Sequence, residues 1–345
     1  MKKLNFLFIL FLLTSFNTDA KHFEFTPLAT EAYQKAMSLR IEEAKKDISK
    51  IKREDPNNKI VYFIENYIDF FTVFINEDKS EFKKLEKNKY PRLKQIRKGD
   101  SNSPYYLYSQ AEIKLQWALA RLKFKQYLNA FNEVSDAYHL LKRNEKKFPD
   151  FVANKKSLGM LHAIIGTIPD KYKWGVKLLS GMTGNIKQGK KEMEEILIYA
   201  QSHPFMFEEE TLVMYAFLVL HLKDDMESAW DIIQNKKLDP KTNPLVCFAL
   251  GNIALHTGKN DLAIKILENR PLGSHYAKFH FLDYMLGLSK LYRLDKDANQ
   301  YLLKYVENFH GQNYIKEAYQ KLAWYELIQG NEINYLHYIK FCKTE

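Results

Sequence analysis

The residues that could do chemistry in this chain are ten histidines, two cysteines and a few pairs of neighbouring carboxylates. None of them stands at the spacing that a metal site or a common catalytic motif requires. The sequence has no His-Glu-x-x-His and no cysteine/histidine cluster at zinc spacing. It also lacks Gly-x-Ser-x-Gly, a Gly-Lys-Ser/Thr phosphate loop and a dinucleotide fingerprint. We therefore predict that the chain is not an enzyme and holds no metal and no cofactor. An enzyme with its site in the irregular region 159–203 is the weakest alternative.

The polar residues with the most suggestive positions have simpler structural interpretations. Glu65 and Asp69 lie four residues apart on one helix face and could form a proton- or metal-binding pair. Nothing nearby suits that role, so a solvated helix edge is favoured. Glu208, Glu209 and Glu210 supply negative charge to the first turn of a helix, where it favours the helix dipole. Three histidines lie in apolar helical runs, where we expect them to pack or form hydrogen bonds: His162, His221 and His256.

The N-terminal residues have the pattern of a secretory signal peptide. Lys2 and Lys3 precede an apolar run from Leu4 to Leu13, and small residues follow up to a plausible cleavage site after Ala20. The run is too short for a membrane span, which needs about 20 residues. We expect removal of residues 1–20 and export to the periplasm, where the protein is free or associated with the envelope.

The formal net charge of +10 is concentrated in one segment. Residues 79–98 hold nine basic side chains and two acidic ones. A solvated helix face is the favoured interpretation, and attraction to an anionic partner is the alternative. The segment 171–179 combines lysines with Trp174 in the pattern of an interfacial helix. The two segments together define the alternative function, a peripheral protein of an anionic membrane surface. Nucleic acid is not an expected partner because the chain carries an export signal.

The composition predicts an all-α protein. Only 13 glycines and 10 prolines occur among 345 residues, and long stretches are rich in Lys, Glu, Leu, Tyr and Phe. We predict single helices over 27–54, 60–75, 79–98 and 171–180, and an irregular helix pair that begins near Phe151 and ends near Ala200. We predict a helix that is capped by Ser101 or Ser103, ends near Leu122 and pairs with 126–147. Further predicted pairs are 207–222 with 225–236, 243–257 with 260–269, 275–292 with 295–308, and 313–329 with 332–341.

The domain organisation follows from these elements. We divide the chain into a signal peptide (1–20), an N-terminal helical region (21–100), irregular helix pairs (101–204) with a glycine-rich insertion (166–189), and regular pairs (205–345).

A small residue returns every 36 positions in the C-terminal part, at Gly251, Gly287 and Ala323, each after a leucine. Glycine within a helix costs about 1 kcal/mol relative to alanine. Its recurrence therefore predicts that another helix passes close to each of these points. Periods of this size are typical of stacked helix–turn–helix repeats.

The segment 244–267 resembles the tetratricopeptide repeat. The matching positions are Leu250-Gly251 on the first helix, Gly258 at the turn, Ala263 on the second helix and Leu267. Weaker copies keep parts of this spacing: Ala118 with Ala130, Phe217 with Ala229, Gly287 with Ala298, and Ala323 with Gly330. The resemblance covers roughly 105–145 and 207–341, and it extends more weakly to 151–200. In general character the chain is similar to exported repeat proteins of Bacteroidetes-type bacteria.

This resemblance implies an α-solenoid, in which antiparallel helix pairs wind into a right-handed superhelix. It also implies a non-catalytic scaffold that binds a protein or peptide on its concave face. Six residues of the first helices are our candidates for contact with this partner: Asn252, His256, Tyr284, Lys290, Lys321 and Tyr325.

Cys247 and Cys342 fall on helices that are far apart in the order of the repeats. In a stacked array their Cα atoms should exceed the ~7 Å limit for a disulfide. We predict two buried free thiols, although the export signal leaves a disulfide open.

Overall fold

The computed structural model describes residues 21–222, 226–234 and 238–343. The predicted signal peptide lies outside the described residues. Within them the protein is all-α, as predicted, and extended pairing is limited to one backbone bridge between His22 and Asn58. The helices are α1 Pro27–Met37, α2 Ile41–Glu54, α3 Ile60–Asn76, α4 Lys79–Leu85, α5 Lys89–Ile96, α6 Tyr105–Lys123, α7 Tyr127–Lys147, α8 Ala153–Thr167, α9 Asp170–Ser180, α10 Ile186–Ala200, α11 Glu208–His221, α12 Met226–Gln234, α13 Pro244–His256, α14 Asn260–Glu268, α15 Phe281–Tyr292, α16 Ala298–Asn308, α17 Ile315–Ile328 and α18 Glu332–Lys343.

The prediction of one helix over 27–54 is wrong, because the chain turns between α1 and α2. Leu39 adopts a φ of 57° at this turn. Its side chain is fully buried, and its carbonyl oxygen accepts a hydrogen bond of 2.8 Å from the backbone of Ala277. A contact with a residue so distant along the chain leaves no local sequence signal. The turn lets α1 and α2 pack against each other.

The prediction of one helix over 79–98 is also wrong. A 3-10 turn at Glu86–Asn88 separates α4 from α5. Pro91 explains the break, because proline has no backbone N–H and disrupts a helix interior. Restarting the helix at Lys89 places Pro91 in the first turn, where it is tolerated.

Most of the remaining helices pack as sequential pairs. The packed pairs are α6 with α7, α8 with α10, α11 with α12, α13 with α14, α15 with α16, and α17 with α18. Neighbouring pairs also touch, since α14 packs on α15 and α16 packs on α17. The helix α9 is inserted between the two members of one pair.

The small residues of the repeat lie where helices approach closely. A Cβ atom added to Gly251 would lie 3.1 Å from Leu267 Cδ2 on α14. One added to Gly287 would lie 2.7 Å from Leu302 Cγ and 3.0 Å from the Leu302 backbone nitrogen on α16. Six alanines of the repeat positions are buried: Ala118, Ala130, Ala229, Ala263, Ala298 and Ala323.

Two glycines follow the first helix of their pairs with a left-handed backbone. Gly258 after α13 and Gly330 after α17 both have a φ of 74°. Glycine takes this conformation without steric cost, so these turns suit the residue type.

The N-terminal helices pack against the pairs instead of standing apart from them. Tyr67 of α3 reaches Glu210 of α11, 143 residues away. The carboxylate of Glu77, just after α3, accepts hydrogen bonds from the Lys123 ammonium (2.6 Å) and the Asn313 backbone (3.1 Å). The helix α3 is therefore buried on most sides, as its apolar sequence predicts, and links α6 to the segment before α17.

Cys247 is buried and Cys342 is half-buried, and both are free thiols. The prediction that both are buried is wrong for Cys342, because α18 has no further helix packed on its outer side among the described residues. In the part of the chain that the structure describes, no helix has the length and apolar character needed to cross a membrane.

Candidate functional site

An open cleft with a volume of about 1160 Å³ lies beside α1. Its walls come from α1 and from the N-terminal ends of α8, α11 and α13, together with the 275–276 loop. The helices α8, α11 and α13 are each the first member of a pair. The cleft therefore sits where the starts of successive pairs face the N-terminal helices.

Aromatic side chains form much of the cleft wall. They come from α1, α6, the loop before α8 and the segment that leads into α11: Tyr33, Tyr105, Phe151, Phe205 and Phe207. The rings of Tyr33 and Phe207 meet edge to face, with centroids 5.6 Å apart. Such contacts hold rings in fixed orientations. Tyr33 and Phe207 are themselves buried, so the apolar surface of the cleft comes from the half-buried Tyr105, Phe151 and Phe205.

Two carboxylates on the first turn of α11 supply negative charge to the cleft. Glu208 and Glu209 line it, and neither has a hydrogen-bond or ion-pair partner among the described residues. Desolvation, and secondarily the neighbouring Glu208 carboxylate, raises the pKa of Glu209 although its side chain still reaches solvent. The positive end of the α11 helix dipole offsets part of the negative charge of these two carboxylates. The remaining negative charge can attract a cation.

The third glutamate of this turn also lines the cleft and belongs to a largely buried charge cluster. Glu210 accepts hydrogen bonds from the hydroxyls of Tyr33 (3.1 Å) and Tyr67 (3.0 Å). The fully buried ammonium of Lys156 lies 2.9 Å from Glu210 and 2.8 Å from Glu112. We call these five residues the charge cluster. It joins α1 and α3 to α6, α8 and α11.

The charge cluster holds one ammonium group and two carboxyl groups. Burial alone would lower the pKa of the Lys156 ammonium, but the carboxylates of Glu112 and Glu210 raise it above its usual value. One ammonium cannot neutralise two carboxylates in a low-dielectric interior. Burial and the Glu210 charge accordingly raise the pKa of Glu112, although Lys156 opposes that shift. A lysine that is charged at neutral pH and carboxylates with hydrogen-bond partners therefore connect five helices.

The structure separates the six residues predicted to contact a partner. Asn252 is half-buried and His256 is exposed on α13. The ammonium of Lys321 lies 3.6 Å from the centroid of the half-exposed Trp324 ring. None of the six lines the cleft.

The other three predicted contact residues are buried and have structural partners. Lys290 forms ion pairs with Glu268 (2.8 Å) and Asp297 (3.0 Å). The Tyr325 hydroxyl donates a hydrogen bond to the Lys296 carbonyl, and Tyr284 is 5 % exposed. The sequence pattern did not reveal that neighbouring helices cover these positions. Their burial leaves Tyr284, Lys290 and Tyr325 little surface for a partner.

The other polar candidates are also engaged within the fold. Glu65 pairs with Lys52 (2.5 Å), and Asp69 pairs with Arg92. His162 is hydrogen-bonded to Glu192, and His221 and His256 to backbone carbonyls. No group of three or more histidine, cysteine or carboxylate side chains is placed to hold a metal ion within the described ranges.

The sequence analysis missed the cleft because it gave Glu208 and Glu209 only a role at the helix dipole and gave Phe205 and Phe207 none. Two phenylalanines in a stretch without helical periodicity, directly before three glutamates, were the available signal. No protein-family model matches this chain, and a search of curated proteins gave no match.

Proposed function

We propose that the chain is an exported, non-catalytic scaffold of tetratricopeptide-like helix pairs. Three features support this proposal: the packed sequential pairs, the small residues at their crossings and the 36-residue period. On this proposal the pairs wind as a right-handed superhelix. Export would remove residues 1–20, and the N-terminal sequence of the mature protein from the periplasm is the direct test.

The observation that carries the proposed activity is the open cleft beside α1. Its volume and its mixture of apolar wall and uncompensated carboxylates suit a peptide segment or a protruding loop of a partner. Aromatic side chains supply contact area at a low entropic cost. Glu208 and Glu209 favour a partner with a lysine or arginine beside its apolar residues, because an unpaired carboxylate pairs best with a cation.

We expect basic peptides with aromatic or aliphatic neighbours to be selected from a random peptide library. Labelled peptides of the selected sequences, and copies with each lysine or arginine replaced by glutamine, would be titrated by fluorescence anisotropy. The double variant Glu208→Gln/Glu209→Gln should weaken binding of the basic peptides at least about 10-fold, as expected for lost charge-assisted contacts. The double variant should leave the binding of the glutamine-substituted peptides unchanged.

The matched control is Glu227→Gln/Glu332→Gln, which changes glutamates in the first turns of α12 and α18, away from the cleft. It should bind like the unchanged protein. Binding of the basic peptides should also weaken as the pH falls through the raised pKa of Glu209, because protonation removes the negative charge. A library that yields no charge-dependent binder would reject the cleft as a peptide site.

A further inference from the structure

The helix α9 is attached to the protein along one side. Val176 packs against the N-terminal core, and Ser180 is buried. The Ser180 carbonyl oxygen lies 2.7 Å from the His139 ring nitrogen on α7, and the Tyr138 hydroxyl donates to the Thr183 carbonyl. These contacts fix the helix on the surface and determine which face points outward.

The outward face of α9 is apolar to an unusual degree. Trp174 is 68 % exposed, Leu178 is 74 % exposed and Leu179 is 80 % exposed. Tyr172 is exposed beside them. At 3.6 residues per turn these four side chains fall within about half of the helix circumference. Single exposed leucines are ordinary, but a cluster with a tryptophan on one short helix marks an interaction surface.

Lysines accompany this apolar face, and no acidic residue occurs from 171 to 180. Lys171 and Lys177 are exposed. The Lys171 ammonium lies 4.9 Å from the centroid of the Tyr172 ring. The surface therefore combines positive charge with apolar and aromatic groups on one helix.

We propose that α9 docks on an anionic lipid surface, with Trp174, Leu178 and Leu179 entering the interface. Tryptophan favours the level of the lipid headgroups, and leucines bury their side chains among the upper acyl chains. Lysines at this level pair with anionic headgroups. The charge of the helix is thus complementary to this occupant. The inference does not rest on the cleft, since none of these residues lines it.

The basic segment 79–98 lacks the features that α9 combines. Lys89 is fully buried in an ion pair with Glu133, and Arg92 pairs with Asp69. Among its large hydrophobic residues, only Tyr90 is strongly exposed. This segment can add long-range attraction, but it has no cluster of side chains to insert.

Flotation of the purified chain without residues 1–20, which is the proposed mature form, tests the proposal with vesicles. Vesicles of phosphatidylcholine with phosphatidylglycerol should carry the protein, and salt should reduce the bound fraction. Vesicles of phosphatidylcholine alone should carry at least about 10-fold less. The variant Leu178→Ser/Leu179→Ser should lose binding at least about 10-fold, and Lys171→Gln/Lys177→Gln should lose it only on the anionic vesicles. Replacing Trp174 by Phe should remove a blue shift in tryptophan fluorescence that accompanies binding.

Two controls separate α9 from general surface effects. Leu272→Ser/Leu294→Ser changes two leucines that are 74 % and 62 % exposed elsewhere. This variant should bind anionic vesicles like the unchanged protein. The second control, Lys83→Gln/Lys84→Gln, should also bind them to within about 2-fold of the unchanged protein. Circular dichroism should show the same helicity for every variant, and peptide binding in the cleft should survive the α9 changes.

Three results would overturn the proposal. The first is that the unchanged protein does not float with anionic vesicles. The second is that the α9 variants bind these vesicles as well as the unchanged protein. The third is that only Lys83→Gln/Lys84→Gln loses vesicle binding. Capture of a lipid-free envelope protein through α9, without vesicle binding, would assign the surface to a protein partner instead.

Discussion

The region around the charge cluster and the region from α13 to α18 use the same helix-pair architecture but are stabilised by different means. The C-terminal pairs depend on small residues such as Gly251 and Gly287, which let successive helices approach. The N-terminal region depends on a buried ammonium, two carboxylates and edge-to-face rings that connect helices distant in the sequence. Regular spacing in a sequence reveals the first kind of stabilisation, whereas the second is visible only in three dimensions.

The largest expected effect comes from removing the only cation of the charge cluster. We predict that Lys156→Met lowers the free energy of unfolding by about 3–5 kcal/mol, because Glu112 and Glu210 lose their common ion-pair partner while they stay buried. Denaturant unfolding followed by circular dichroism measures this change. Adding Glu112→Gln and Glu210→Gln to the variant should restore much of the lost stability.

The neighbouring residue provides a matched control. Lys155 pairs with Glu195 at the surface, where both side chains are more than a third exposed. Lys155→Met should therefore cost less than about 1 kcal/mol. Equal losses for the two lysine variants would contradict the role given to the charge cluster.

A smaller loss is expected from filling a helix crossing in the C-terminal pairs. Gly287→Leu should cost about 1–3 kcal/mol, because the new side chain meets Leu302 and its backbone. Hydrogen exchange should show the loss in α13 to α18 and leave the amides of α3 protected. Loss of protection throughout the chain would show that the two regions unfold together.

Gly175 offers the opposite case on α9. Apart from its own helix backbone and chain neighbours, nothing in the described part of the chain lies within 4 Å of a Cβ added there. Gly175→Ala should therefore raise stability by up to about 1 kcal/mol through helix propensity. A loss of stability in this variant would mean that α9 packs more closely than described.

The smallest effect concerns alkaline pH. The folded protein holds the Lys156 proton more tightly than the unfolded chain does, because its pKa is raised above 10.5. The contribution of Lys156 to stability is therefore complete below pH 10.5 and is lost as the pH rises beyond that value. The difference in unfolding free energy between the unchanged protein and Lys156→Met should shrink above this pH. A difference that stays constant with pH would contradict the assigned charge.

The parts of the fold that sequence reasoning recovered depend on local periodicity. The all-α class, the helix α3 and the C-terminal helix pairs follow from apolar spacing, and the 36-residue period identifies positions where helices approach. Pro91 indicates the break in the basic segment, and the prediction of one helix over 79–98 did not take it into account. The turn at Leu39 carries no such signal, since its conformation is coupled to a contact with Ala277.

The candidate cleft and the charge cluster could not be derived in the same way. Lys156 stands in the polar run Asn154-Lys155-Lys156-Ser157, which looks like a solvated helix face. Its burial depends on α6 and α11, which are distant in the sequence and place Glu112 and Glu210 beside it. Tyr284 and Lys290 show the same limit, because the neighbouring helices that cover them cannot be read from helical spacing alone.

The bonds made by Glu77 have a mechanical consequence. In a linear stack of helix pairs, each pair touches only its neighbours. No contact then connects the distant parts of the stack directly. Here one carboxylate ties the end of α6 to the loop before α17, through Lys123 and Asn313. These two segments cannot separate without breaking the hydrogen bonds of Glu77. Pulling the N-terminal helices away from the later pairs would also break the bonds between Tyr67 and Glu210 and between Leu39 and Ala277, so several distant contacts would share the load.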